Sequence, residues 1–197
     1  MNYLSILLSM IKIFPGLIKL SLSLVVMSGL FSCSHKYNSD ILDLSFYQWN
    51  QWPDKEAKWQ KASAHDPSEV LSGKLSNPPT CGWEVLHRGN GKLVRIPAVL
   101  KDHVGVSWYH CRFTLPEVWE HRKIVLRFED AGPEVEVYLN EEFIGFFRDG
   151  DTPFELNVTG RIYYTRDNHL AIRITDPFGG GGITGNITVK SSKPADQ

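Results

Sequence analysis

The chain has 197 residues, 42% of them hydrophobic, and a formal charge of −1 from 21 basic and 22 acidic side chains. That length supports one domain with a sizeable core, and a near-neutral balance without a basic stripe or tail excludes nucleic acid as an expected partner. The three cysteines show no CxxC spacing and the seven histidines no HxH or HExxH pair, so zinc is not expected from local spacing.

Residues 1–32 contain no acid, and Lys12 and Lys19 are their only charges. Leu20–Phe31 is an uncharged, largely apolar run, short for a membrane span but suited to the apolar region of a signal peptide. Leu30-Phe31-Ser32-Cys33 resembles a bacterial lipobox, in which the cysteine is lipidated and becomes the first mature residue. Phe31 is bulkier than the residue usual at its position, so a plain signal peptide and an uncleaved anchor stay open. A buried core helix is the remaining reading, and no helical spacing of polar residues supports it. The expectation is export, with a lipid on Cys33 holding the protein to the membrane at the periplasm or cell surface. Loss of the leader would take the formal charge from −1 to −3.

Residues 33–41 read as a polar tether, 42–192 as one folded domain and 193–197 as a frayed tail. Leu42–Trp49 reads as a first strand. Trp49, Trp52 and Trp59 either form a stacking platform or, as we prefer, fasten an irregular segment onto a sheet. Trp83–Arg88 and Lys92–Ile96 flank Gly89-Asn90-Gly91 and predict a hairpin, because those residues accept positive φ. Val99–Val106 then reads as a loop in which Asp102 and His103 are exposed. From Ser107 to Thr175 come five or six short runs rich in Val, Ile, Phe, Tyr and Leu, most of them separated by Pro, Gly, Asn or Asp. In Glu134–Asn140, Val135, Val137 and Leu139 alternate with Glu136 and Tyr138, the period of a strand with one buried face. The fold class is therefore all-β, an antiparallel β-sandwich or jelly roll. An exported compartment permits Cys81 and Cys111 to pair; two buried thiols are the equal alternative.

The order Trp108-Tyr109, Phe113-Thr114-Leu115-Pro116, Trp119, Leu126-Arg127-Phe128, Val135 to Asn140, Gly145, Thr152 to Leu156 and Asn168 to Arg173 resembles one module. It is the N-terminal sugar-binding, galactose-binding-like jelly roll of glycoside hydrolase family 2, the β-galactosidase and β-glucuronidase family. Asp176-Pro177-Phe178 with the glycines that follow is also similar to the module of sialate O-acetylesterases. Asn140-Glu141-Glu142 departs from the Asn-Gly turn usual in the family, and the loop at Asp176–Gly182 is shorter than in its enzymes.

The resemblance implies a reaction needing two carboxylic acids, which in family 2 lie on a separate barrel of roughly 250 residues. A chain of 197 residues leaves no room for that barrel, so catalysis by this chain alone is not expected. There is no Gly-x-Ser-x-Gly elbow for an esterase, and Gly179–Gly182 lacks the Lys-Ser/Thr of a phosphate loop. What remains is glycan binding, by rings stacked on sugar faces and by carboxylates and arginines on hydroxyls. The candidates are Arg148 and Asp149, Asp176 and Phe178, Asp130, and Trp108; if Trp108, Tyr109 and Tyr138 are buried, only the rim loops are left. The competing reading is that these acids cap turn amides. Calcium, common among galactose-binding-like folds, would suit Asp149 and Asp151; no other cofactor is expected. Two further roles are weighed: the front of a glycosidase completed by a catalytic subunit in trans, and a protein-docking jelly roll at the cell envelope.

Overall fold

The computed structural model describes residues 40–54, 82–101, 103–148 and 152–193. The chain divides into two units, Met1–Asn38 and Ser39–Gln197, and every described residue belongs to the second. The leader, Cys33, most of the tether, Trp59, Cys81, Asp102, Asp149, Asp151 and residues 194–197 lie outside the described residues.

The described chain is an antiparallel β-sandwich. Its strands are β1 (Ile41–Asp43), β2 (Trp49–Asp54), β3 (Lys92–Val94), β4 (Ala98–Val99), β5 (Gly105–Thr114), β6 (Lys123–Phe128) and β7 (Glu134–Leu139), followed by β8 (Glu142–Arg148), β9 (Phe154–Asn157), β10 (Asp167–Asp176), β11 (Gly182–Ile183) and β12 (Ile187–Ser192). One sheet has the order β1-β12-β6-β9, the other β3-β2-β5-β10-β7-β8, and β11 and β4 form a two-stranded ladder. In β6 the alternation is clean: Ile124, Leu126 and Phe128 are buried while Lys123, Val125 and Arg127 are not. They meet Trp49, Tyr109, Cys111, Phe113, Val135, Val137, Leu139, Leu170, Ile172 and Ile174 of the larger sheet in one core. Cys111 is a buried free thiol, and its burial pushes its pKa up to about 12.

The larger sheet is covered on both faces, unlike the single buried face its alternation predicts. Glu136 and Tyr138, which point away from the core, are each only 1% exposed. Over Tyr138 the cover is helix α1 (Trp83–His87), where a hairpin strand is expected. Trp83, Leu86 and His87 stand at i, i+3 and i+4, one face of a helix. Trp83 and Leu86 pack on Trp52, Val106, Trp108, Tyr138 and Ala171. Gly89 at φ +63° stops the helix, its amide bonding to the Leu86 carbonyl at 3.1 Å, so the glycine expected in a hairpin turn ends a helix instead. On the same face Glu136 accepts hydrogen bonds from the Tyr138 hydroxyl (2.7 Å) and from Arg173 (2.9 Å), a buried charge pair with a hydroxyl on it.

Three local expectations change. Leu42–Trp49 is not one strand: Asp43 caps a 3-10 turn at Leu44–Phe46, and the chain crosses from the smaller sheet to the larger. The Trp49 indole closes that crossing on the Leu44 carbonyl (2.9 Å), and Phe46 is left 88% exposed. His103 is buried rather than solvated, 3.0 Å from the Val106 carbonyl and 2.9 Å from the Ser107 hydroxyl. Val99, placed at the start of a loop, instead ends a two-residue strand, Ala98–Val99, held to Gly182–Ile183.

Candidate functional site

The end of β10 and the loop beyond it make a groove of about 290 Å³, lined by Asp130, Gly132, Pro133, Asp176, Phe178, the glycines 179–182 and Thr184. Of the residues singled out in the sequence, Asp130, Asp176 and Phe178 come together here. Asp176 is buried and spends both oxygens on its own loop. Oδ1 accepts the amides of Phe178 (3.0 Å) and Gly179 (2.7 Å), and Oδ2 accepts that of Gly181 (2.6 Å). The capping reading thus describes Asp176: it is a staple that shapes the loop and throws Phe178 outward, 88% exposed.

Two of the glycines, Gly181 and Gly182, are required by contact. A Cβ on Gly181 would come within 2.5 Å of the Gly132 carbonyl, and one on Gly182 within 2.6 Å of the Ala98 carbonyl. Gly132 and Gly182 exchange both backbone hydrogen bonds, at 3.1 and 3.0 Å. Asp130, at the far wall, is solvent-exposed. Its Oδ1 accepts from the Thr152 hydroxyl at 3.1 Å, its Oδ2 accepts from the Thr184 hydroxyl, and its carbonyl accepts the amides of Thr184 and Gly185. The result is a backbone-walled, polar trough with one free ring at its lip.

Two other candidates lie elsewhere. Arg148 ends β8, 3.4 Å from Glu134 and with its guanidinium 5.6 Å from the Phe146 ring centre; it does not line the groove. Trp108 is fully buried on the covered face of the larger sheet, edge-on to Trp83 at 6.4 Å and 5.9 Å from Tyr138, and has no surface to offer a ligand. Trp49 and Trp52 are likewise buried, so the described part of the tryptophan set fastens the segment to the sheet. Tyr109 and Tyr138 are buried too, which leaves the rim. Asp149 and Asp151, which calcium would suit, lie outside the described residues.

A second assembly has no counterpart in the sequence reading. His87 ends α1, His110 lies in β5 and His169 in β10, and one ring nitrogen from each lies within 4.8 Å of the others. Burial lowers the pKa of all three. For His110 it falls to about 3, with His169, His87 and Arg112 pushing the same way; for His87, Glu141 and Glu84 oppose the shift. Local spacing carries no trace of this cluster because each histidine comes from a different element. The one available signal is the helical i, i+3, i+4 set that turns His87 toward the sheet.

Residues 93–177 match the family described as glycosyl hydrolases family 2, sugar binding domain. A β-galactosidase of Thermoanaerobacter pseudethanolicus is 35% identical over 75 residues, covering 38% of this chain and 10% of that protein. The β-galactosidase large subunit of Latilactobacillus sakei is 31% identical over 112 residues, 47% of this chain and 18% of the subunit. The solved structure of a glycosyl hydrolase family 2 member from Bacteroides cellulosilyticus superposes with a TM-score of 0.58 at 16% identity, over 79% of this chain and 21% of that one. That superposition shows the sandwich fold. The chain spans less than a fifth of the length of either of these two relatives.

Proposed function

From the premise that residues 93–177 are a glycosyl hydrolases family 2 sugar binding domain, we propose that this chain binds glycans at the glycine-rich rim, without catalysing their hydrolysis, as an accessory to glycan breakdown. One observation carries the reading: Phe178 stands 88% exposed at the lip of a groove lined by glycine backbone, two carboxylates and the Thr184 hydroxyl. A ring beside a polar trough suits a sugar, which offers an apolar face to the ring and hydroxyls to the trough. Catalysis would need two carboxylic acids free to act on the bond. Here Asp176 gives its oxygens to three amides and Asp130 gives its own to two threonine hydroxyls.

Calorimetric titration of the purified chain against plant and host glycans tests this. A stacked ring is worth about 1 kcal/mol, so Phe178→Ala is expected to weaken binding roughly fivefold. Undiminished binding by that variant moves the site off the rim, and no binding to any glycan ends the reading.

A second reading, favoured by the match to a domain of hydrolases, is that the rim serves a catalytic chain in trans. Hydrolysis of nitrophenyl glycosides only on mixing with a barrel-bearing chain would support it; hydrolysis by this chain alone would overturn both readings. We also propose export and a lipid on Cys33, on the strength of the leader's pattern. Metabolic labelling with a palmitate analogue, lost in Cys33→Ser, is the expected result.

A further inference from the structure

We propose that His87, His110 and His169 form a binding site for a borderline divalent transition metal, zinc foremost, which pins α1 to the larger sheet. The register builds it. In the β5–β10 pairing His169 lies opposite Arg112 and His110 opposite Ala171, so the two histidines are diagonal neighbours on the same sheet face. His110 Nε2 and His169 Nδ1 are 3.0 Å apart. Helix α1 sets His87 over them, its ring stacked on that of His169 at 3.9 Å between centroids.

Three imidazoles suit a particular class of ion. Neutral ring nitrogens favour zinc, copper, nickel and cobalt over calcium or magnesium, which take oxygen. A tetrahedral ion about 2.0–2.1 Å from each nitrogen needs them roughly 3.4 Å apart. The 3.0 Å pair and the 4.8 Å span of the three nitrogens put them within reach of one ion once the side chains rotate to turn their lone pairs onto a common point. Binding breaks the hydrogen bond between His110 and His169, and the ring that donates it takes the other tautomer, its proton moving to the far nitrogen so that both imidazoles bind the ion neutral.

The surroundings fit as well. Glu141 Oε1 lies 3.7 Å from His87 Nδ1, close enough to orient that imidazole through Nδ1 when Nε2 takes the ion. Glu141 holds φ +72° at a turn position where glycine would be unstrained, so a side chain stands where the backbone favours none. Beside the cluster a groove of about 400 Å³ runs past Asn140, Tyr163 and Asp167, giving the ion a way in and a fourth position open to water. Nothing in this rests on glycan binding.

The test uses the untagged full chain, stripped with EDTA and dialysed. Zinc titration followed by elemental analysis is expected to show one equivalent per chain, and cobalt(II) to give the visible absorption of a tetrahedral nitrogen site. Added zinc is expected to raise the melting temperature. His87→Gln and His169→Gln, both half-buried and outside the core, are expected to bind at least tenfold more weakly and lose the cobalt signature. Glu141→Gln is expected to lose about tenfold, while the exposed His121→Gln binds as the parent does. Substoichiometric zinc, a six-coordinate cobalt spectrum, or equal binding by His87→Gln and His169→Gln would each overturn the proposal.

Discussion

Strand β10 carries both regions of interest, His169 near its start and Asp176 at its end, about 23 Å apart along an extended chain. The rim is made of backbone: glycines in close contact and carboxylates bound to the chain's own amides and hydroxyls. The histidine cluster is made of side chains that three separate elements bring together. A region built from backbone ties its residues to the stability of the fold. One built from converging side chains leaves them free to be exchanged for a ligand. Substitutions in the two regions should therefore be read by different measurements.

The largest effect is expected at the rim. Gly182→Ala puts a Cβ 2.6 Å from the Ala98 carbonyl at a residue with φ +141°. Backbone cannot withdraw as a flexible side chain would, so the cost is about 3 kcal/mol, read from the urea midpoint. A loss below about 1 kcal/mol would show that the β4–β11 contact is loose and the rim plastic. Next comes Asp176→Ala, which strands three amides and is expected to cost about 2 kcal/mol. If it leaves stability intact but abolishes glycan binding, Asp176 belongs to the ligand and the contrast between the regions fails.

How much of this is legible in the sequence follows the same line. The Val135, Val137, Leu139 alternation places β7, and the Asp176-Pro177-Phe178 run followed by glycines marks the rim, because turn chemistry is local. Trp108 shows where local reasoning stops. A tryptophan on an outward strand position looks available until α1 covers it, and α1 is hidden because Gly89-Asn90-Gly91 is equally good as a hairpin turn. The histidines are further out of reach. His110 and His169 are 59 residues apart in the chain, and only the β5–β10 register joins them.

That register has a consequence for pH. His110 stays neutral in the fold down to about pH 3, whereas an unfolded histidine takes a proton near 6.5. Between those values the unfolded chain binds the extra proton, so stability is full above about pH 6.5 and falls as the pH drops. His169 on β10, His87 on α1 and Arg112 on β5 push the His110 pKa down with burial, while Asp167 acts the other way on His169, and Glu141 at the hairpin tip and Glu84 on α1 act the other way on His87. Urea unfolding at pH 7.5 and pH 5 is expected to differ by roughly 1–2 kcal/mol in the metal-free chain, and His110→Gln to shrink the difference. An unchanged difference in that variant would place the acid sensitivity outside the cluster.

The smallest expected effect separates shape from contact within the rim itself. Phe178 projects into solvent, held at its amide by Asp176, and its ring is 88% exposed. Removing it takes little apolar surface out of the fold, so Phe178→Ala should leave the urea midpoint within about 0.5 kcal/mol of the parent. Gly182→Ala and Asp176→Ala alter the trough and the fold together; Phe178→Ala alters only what a ligand meets. A destabilisation above about 1 kcal/mol would mean that the ring packs on the chain in solution, and the lip of the groove would then have no free surface on which to stack a sugar.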